Sequence, residues 1–289
     1  MNKLVSAVIT THNRSVLLTR AIESVLSQTY KSIECIVVDD ASSDDTAIVC
    51  KKYDLNYLFI PKSESKGGNY ARNLGIKAAN GEYVAFLDDD DYWLPQKIEK
   101  QVALIEQKDC ELVHCGKRLE IVSSTGTKYE TFIPNANLNG DMSKKILMGV
   151  CCTTSNMLAK RDALLDIGMF DEQLKFWQEY ELTIRLAQRK PIYFVAEELS
   201  VYRVDVTDSH RLTNKYTPWK KAVKYIYEKH NILYSKLNII EKMARYGFVL
   251  CDGSVRLKNA GRKIESFFTQ IFGLLLKIPY KISLYIFRK

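Results

Sequence analysis

The sequence predicts an α/β fold, and three observations carry the prediction. Short apolar, β-branched runs recur through the first 120 residues; stretches with apolar residues at helical spacing separate them; and the runs end on polar or acidic residues. Runs that are uninterrupted rather than alternating mark strands buried on both faces, as in a parallel sheet covered by helices.

The elements can be placed in chain order. Residues 5–10, "VSAVIT", form the first expected strand. Residues 15–28 place Leu18, Ala21, Ile22, Val25 and Leu26 on one helical face. Residues 35–38, "CIVV", are a second buried strand and run into Asp39 and Asp40. "SSDDTAIVCKKY" then reads as capping residues followed by a helix. Residues 57–60 make a third strand, 69–79 a third helix, Asn80-Gly81 a turn, and 83–87 a fourth strand. In such sheets the ligand sits at the carboxyl ends of the strands. The first, second and fourth strands each run into a polar stretch: "TTHNR", "DDASSDD" and "DDDDYW". Three strand ends therefore converge on an acidic site.

Clustered carboxylates repel unless a cation sits among them. Hard oxygen ligands suit Mg²⁺ or Mn²⁺, which keep waters and share their shell with a substrate phosphate. A solvated acidic turn is the bland alternative, and the buried strand before it and Trp93 after it count against that. An EF-hand fails: with Asp88 as the first position, Trp93 stands where glycine is needed, although Glu99 falls at the twelfth.

Bulk properties bound the rest. The 289 residues are 46% hydrophobic and 26% charged, so an ordinary globular protein is expected. Seven cysteines without a CxxC pair read as free thiols in a reducing compartment. Cys110, His114 and Cys115 resemble half a zinc site without a second half. The N-terminus enters a strand directly, so no secretory signal is expected. Net charge is +8, and the last 28 residues hold six Lys or Arg, four Phe and one acid, Glu265. Lys277, Pro279 and Lys281 interrupt that segment, so it reads as an amphipathic helix lying on an anionic membrane surface, with Pro279 kinking it. Its basic residues alternate with aliphatics rather than lining a polar groove, and nucleic acid is not expected as a partner.

The stretches "VITTHNR", "VVDDASSDDT", "GGNYARNLGIKAANGEYVAFLDDDDYWLP" and "FDEQLKFWQEYEL" resemble the family-2 inverting glycosyltransferases of GT-A fold, in order and spacing, over residues 5–205. The resemblance implies a Rossmann-like nucleotide-binding half with a mixed central sheet in a domain at 1–212. A helical extension comes next, at 213–289, with its membrane-associating segment at 262–289. The resemblance also implies a nucleotide-diphosphate sugar donor, commonly a UDP-sugar, with Mn²⁺ or Mg²⁺. The acceptor expected is a lipid-linked or envelope glycan at the cytoplasmic face of a bacterial membrane.

Carried over by position, the resemblance puts Thr11 at the base and ribose, with Asn13 and Arg14 beside it. Asp40 goes on the uracil ring, with Asp39 as its neighbour, and Arg72 goes near base and phosphates. Asp88 and Asp90 stand in the DxD-like motif: Asp90, with Asp88, on the metal, and Asp89 or Asp88 toward the ribose. Asp91 and Trp93 come directly after the motif. Glu179 stands in the place of the base, where aspartate is common. The extra methylene moves the carboxylate by about 1 Å, a displacement that can cost about a hundredfold in rate. Glu181 is the fallback base, and Thr153, Thr154 and Ser155 line the acceptor side. Asp205 stands where relatives carry a metal- or diphosphate-binding histidine, with His210 five residues later. Residues 215–253 read as two helices with an apolar stripe. A nucleotidyltransferase and a degenerate, nucleotide-binding scaffold subunit remain alternatives to an active transferase.

Overall fold

The computed structural model describes residues 3–208 and 215–286. They fall into two compact units, one from Met1–Met142 and Cys151–Thr207, the other from Ser143–Val150 and Asp208–Lys289. The chain crosses between the units for the third and last time after Thr207, and the second unit also takes in a segment from within the first 212 residues.

The first unit is built on one nine-stranded mixed sheet. Its elements are β1 (Val5–Thr11), α1 (Ser15–Leu26), β2 (Ile33–Asp40), α2 (Thr46–Cys50), β3 (Asn56–Ile60), α3 (Gly68–Ala78), β4 (Tyr83–Asp88), β5 (Tyr92–Trp93) and α4 (Lys97–Gln107). The chain continues through β6 (Leu112–Ser123), β7 (Gly126–Phe132), β8 (Leu158–Lys160), α5 (Arg161–Asp166), α6 (Gln178–Ala187) and β9 (Ile192–Asp205). The strand order is β3-β2-β1-β4-β8-β6-β9-β5, with β7 paired to β6. β3, β2, β1 and β4 are mutually parallel, whereas β8 runs antiparallel to both β4 and β6. The expected mixed sheet is therefore present.

The parallel strands are the four apolar runs, and three of them extend past their apolar part. β1 reaches Thr11, β2 reaches Asp40 and β4 reaches Asp88. Pairing sets Thr10 opposite Asp88 and Thr11 opposite Asp39. The chain leaves β1 toward β2 on one side and finds β4 on the other, which makes the β1–β4 boundary the crevice where ligands sit in such sheets. α1 buries Leu18, Ala21, Ile22 and Val25 as expected. Leu26, in the helix's last turn, is exposed instead.

α3 lies close against β1 because Gly75 has no side chain: a Cβ there would fall 2.3 Å from Val8 Cγ1. Trp93 is a core residue rather than a site residue. Its indole Nε1 donates to the Ser155 carbonyl at 2.9 Å, and the buried Lys97 ammonium lies 4.1 Å from its ring centroid. Residues Thr154–Asn156 form a single 3-10 turn.

The second unit holds α7 (Tyr216–Lys229), α8 (Asn231–Ser235), α9 (Ile239–Asn259) and α10 (Lys263–Ile286), with a 3-10 turn at Lys145–Met148. The two helices expected over 215–253 are three. Asn238 opens α9 with a reciprocal cap, its side chain accepting from the Glu241 amide at 2.9 Å while Glu241 accepts from the Asn238 amide at 2.8 Å. α10 continues as one helix through Pro279. Among the described residues no helix is long and apolar enough to cross a membrane.

Two consequences are testable. Gly75→Ala overpacks the α3–β1 contact and should lower the thermal midpoint by the equivalent of about 1–3 kcal/mol; an unchanged midpoint would show that α3 moves freely. His114, buried on β6 with its ring 5.3 Å from that of Phe194, is pushed down by burial from 6.5 to about 4. The unfolded chain therefore takes up that proton first as pH falls, so native stability contributed by neutral His114 is lost between pH 6.5 and 4. Urea titrations across that window should show a shallower acid loss for His114→Leu; parallel curves would exclude the residue as the source.

Candidate active site

Four consecutive aspartates close β4, and the backbone bends sharply through them: the Asp91 amide donates to the Asp88 carbonyl at 3.1 Å. The turn sends the four carboxylates to different partners. Asp88 accepts from Arg72 Nη2 at 2.6 Å. Asp89, nearly fully buried, accepts from Thr11 Oγ1 at 2.8 Å and Arg14 Nη1 at 3.1 Å. Asp90 accepts from the same Arg14 nitrogen at 2.8 Å. Asp91 accepts from Ser155 Oγ at 2.5 Å and from the Arg203 amide at 3.0 Å.

Burial raises three of these acids above the ordinary range, Asp89 to about 6 and Asp91 most, with neighbouring aspartates adding to the effect. For Asp89 and Asp90, Arg14 opposes it. Asp88 and Asp90 keep side-chain exposures of 30% and 33%, against 6% for Asp89. They are the two carboxylates the turn presents outward. Asp89 and Asp91 instead fasten the turn to its surroundings, and the Asp89 bond occupies the hydroxyl of Thr11.

The β1–α1 loop is shaped around these acids. Asn13, at φ 53°, accepts from the Ser43 amide at 2.7 Å, and its own amide donates to Ser42 Oγ at 2.8 Å. His12 Nδ1 lies 2.6 Å from the Asp40 carbonyl. Asp39 is tied down by Tyr57 Oη at 2.7 Å and the Ser42 amide at 2.8 Å. Asp40 differs: its Oδ1 is buried with no hydrogen-bond partner among the described residues. Ala41 comes next at φ 64°, a left-handed conformation that a residue with a Cβ adopts only when its surroundings enforce it.

α3 supplies the cation and anchors the second half of the site. Its Arg72 binds Asn69 Oδ1 at 3.0 Å as well as Asp88, which fixes the guanidinium in one plane. Asn69 Nδ2 donates to the carbonyls of Asp171 and Leu174 at 2.9 and 2.7 Å. Asn73 Nδ2 donates to the Phe170 carbonyl and Glu172 Oε1, both at 2.9 Å, and Asn73 Oδ1 accepts from the Phe170 amide at 2.9 Å. Residues 170–174 are thereby held on α3 as they lead toward α6. Trp177, at φ 57°, turns the chain into that helix, whose first turn carries Glu179.

Glu179 shares its electrostatic surroundings with Asp88, Arg72 and Lys117. Burial raises its pKa, Asp88 adds to the rise, and Arg72 and Lys117 oppose it. Lys117, on β6, is itself pushed down by burial and held up by Asp91 and Glu179. Glu181 does not join them. Fully buried, it grips Arg185 Nε and Nη2 at 2.9 and 2.6 Å, and Arg185 in turn donates to the carbonyls of Ile167 and Met169. Two residues on from Glu179, it faces another way on the helix, so the fallback base is a packing residue.

Asp205 is held locally, accepting from Arg203 Nη2 at 3.0 Å and from Thr207 Oγ1 at 2.6 Å. Among the described residues it reaches the aspartate turn only at one remove, through Arg203, whose amide donates to Asp91. His210 lies outside the described residues. Ser155, expected on the acceptor side, instead spans the turn: it donates to Asp91 and its Oγ accepts from the Asp88 amide at 3.2 Å.

A model of the family described as "Glycosyl transferase family 2" matches residues 6–168. The chain belongs to glycosyltransferase family 2. The match takes in the aspartate turn, the β1–α1 loop and Arg72, and it stops before Glu179. An uncharacterized glycosyltransferase of Rickettsia prowazekii is 32% identical over 206 residues, which are 70% of this chain and 64% of that protein. This chain therefore spans under two thirds of that relative's length. A UDP-Glc:α-D-GlcNAc-diphosphoundecaprenol β-1,3-glucosyltransferase of Escherichia coli is 45% identical over 105 residues, 36% of this chain and 42% of its own. The structure of a Pyrobaculum calidifontis mannosyltransferase, in complex with GDP-Man and Mn²⁺, superposes with a TM-score of 0.61 at 17% identity. It covers 96% of this chain and 87% of the other, which shows the GT-A fold.

The contacts that sequence reasoning missed are long-range. Arg20 braces the turn from α1, donating to the Asp90 carbonyl and to Glu120 Oε2, both at 2.9 Å. Asn69 and Asn73 left a readable trace, because with Arg72 and Ile76 they make a mostly polar stripe at i, i+3, i+4 and i+7 on a helix that packs against the sheet. Asn73→Ala removes the three hydrogen bonds that tie Phe170 and Glu172 to α3. It should lower turnover by about a hundredfold through misplacement of Glu179, while UDP still raises the thermal midpoint; equal loss of both would mean that α3 itself had collapsed.

Proposed function

We propose that the chain transfers a sugar from a nucleoside-diphosphate donor, of the UDP-sugar class, to a lipid-linked or cell-envelope glycan, with inversion at the anomeric carbon. One observation carries the reading: a guanidinium, an outward-facing strand-end carboxylate and a partly buried acid on a different segment, Arg72, Asp88 and Glu179, share one electrostatic site at the carboxyl edge of β4. The named Escherichia coli relative supports both the donor class and the diphosphate-linked lipid acceptor.

The donor nucleotide is assigned to the crevice between β1 and β4. The buried, unpartnered Oδ1 of Asp40 is an acceptor for a ring N–H, and uracil offers one. Arg72, planar and already fixed by Asn69, is assigned to the diphosphate oxygens. Asn13 and Arg14 hold the loop over the nucleotide rather than competing for it.

The residues also fit a divalent cation, Mn²⁺ or Mg²⁺. Among the described residues no group of three or more His, Cys, Asp or Glu is set to cage a metal. Ions that share their shell with a diphosphate and water need only one or two carboxylates, and Asp90 and Asp88 remain outward-facing with mutually repelling charges. Bound there, such an ion would neutralise charge growing on the diphosphate. The mannosyltransferase structure with Mn²⁺ supports that assignment.

In the chemical step Glu179 accepts the proton of the acceptor hydroxyl as that oxygen bonds to the anomeric carbon. The bond from that carbon to the diphosphate breaks, its electron pair leaves with the nucleoside diphosphate, and Arg72 stabilises the departing charge. Burial is what fits Glu179 for this, since a base is most effective with a pKa near the working pH. The reaction is placed at the cytoplasmic face of a membrane, reached through the C-terminal segment.

Thermal unfolding with UDP and Mn²⁺ tests the donor class. Saturating ligand at a hundredfold excess over Kd should stabilise the wild type by about 2.7 kcal/mol. Asp40→Asn should weaken the effect and Asp90→Ala should remove its dependence on metal. Glu179→Gln should keep the UDP response and lose turnover by about a thousandfold or more. Failure of any nucleoside diphosphate to stabilise the wild type would overturn the proposal, and UDP binding without turnover of any donor would favour a scaffold subunit.

A further inference from the structure

α9 and α10 pack with their polarity reversed. In a helical hairpin that faces water, the apolar stripe is turned inward and polar residues outward. Here glycines, serines and a glutamine bring the helices together, with Leu250 and Leu276 beside the glycines. Ser266 Oγ donates to the Ser254 carbonyl at 2.7 Å, and Ser254 Oγ donates to Gln270 Oε1. Gly247 and Gly273 bring the two backbones together, since a Cβ on Gly247 would meet the Gly273 carbonyl oxygen at 2.5 Å. The outer face of α10 carries Phe267, Phe268, Ile271, Phe272, Leu275 and Ile278, with Phe267 and Phe268 exposed by 61% and 64%. Glycines and hydroxyls between helices, with aromatics and aliphatics outside, are the arrangement helices take among lipids.

We propose that the outer face of α10 docks in the plane of an anionic lipid surface, with α9 lying behind it. This deepens the membrane part of the function proposed above and rests on that part alone, not on the donor chemistry. The occupant is argued from charge. Lys263 and Lys281 are exposed near the ends of the stripe, and the helix's only acid, Glu265, is paired with Arg262. A second copy meeting this face through a two-fold axis would set that basic rim against itself. An anionic headgroup layer neutralises it instead. The helix lies in the surface rather than across it, because no described helix is long and apolar enough to span.

Flotation of the full chain with vesicles of phosphatidylcholine alone, and of phosphatidylcholine mixed equally with phosphatidylglycerol, tests this. The wild type should float with the mixed vesicles, and added salt should reduce its binding. Phe267→Ser/Phe268→Ser/Phe272→Ser should lower partitioning by about tenfold or more. Lys263→Ser/Lys281→Ser should bring binding to mixed vesicles down toward that to neutral ones. On a Phe268→Trp chain, brominated lipid should quench the new indole fluorescence. The triple variant's UDP response, measured alongside, reports whether the first unit is intact. A missing UDP response in the wild type would count against the transferase reading without touching this one. The proposal fails if the wild type floats with neither vesicle or if the triple variant floats unchanged. It also fails if the stripe instead drives a concentration-dependent dimer that the triple variant abolishes.

Discussion

Four adjacent carboxylates at the end of a buried strand impose the constraint on which the rest of the first unit depends. At a separation of about 4 Å and an effective dielectric near 20, each like-charged pair repels by about 4 kcal/mol, a large share of the roughly 5–15 kcal/mol that holds a domain folded. The turn at 88–91 resolves this by division. Arg72 comes from α3, Thr11 from the end of β1, Arg14 from the β1–α1 loop, Ser155 from the turn before β8, and the Arg203 amide from β9. Elements far apart in sequence meet here because each brings a donor to the turn, and each aspartate is answered by at least one of them. Two acids are spent on holding the turn, and the remaining two, Asp88 and Asp90, stay available to a ligand.

α3 carries this organisation across the site. Its Gly75 allows close contact with β1, which sets the depth of Arg72 one turn earlier. Asn69 and Asn73, on the same face, hold the segment that leads to Glu179. The cation expected on the leaving group and the acid expected as base are thus referenced to a single helix. Rigid placement of this kind, to within about 1 Å, is what separates an assembled site from a set of correct residues.

The parallel half of the fold was legible in the sequence because strands buried on both faces must be apolar throughout. Their polar ends stood out for the same reason. The half built from β5, β6, β8 and β9 was not. β5 and β8 are two and three residues long and exist through their partners, Trp93 opposite Ser200 and Leu158 opposite Val113. β6 mixes Lys117, Arg118 and Glu120 into one strand, and the last two pair with charges on other elements, which erases the alternation a reader relies on. At the site the residue types were readable but the division of labour was not. Asp89 and Asp91 look no different from Asp88 and Asp90 in a run of four, and only their partners, 78 and 64 positions away, distinguish them. Trp93 and Glu181 misled for a related reason: proximity to a motif in sequence says nothing of the side on which a side chain emerges.

Glu179 is where local strain and site chemistry meet. Trp177 enters α6 in a left-handed conformation, which costs an L-residue about 1–2 kcal/mol. The indole is buried and packs edge-on against Tyr180 at 5.1 Å, so the burial of a large aromatic offsets the strain. The effect is to fix where α6 begins and therefore the direction of its first turn. An acid in that turn is drawn toward ionisation by the helix dipole and by Arg72 and Lys117, and away from it by burial and by Asp88. Burial prevails, and Glu179 is poised closer to neutrality than a solvated carboxylate. A glutamate where aspartate is common then does not by itself mark a dead site. A bulky residue held at positive φ two positions before it fixes where its helix begins.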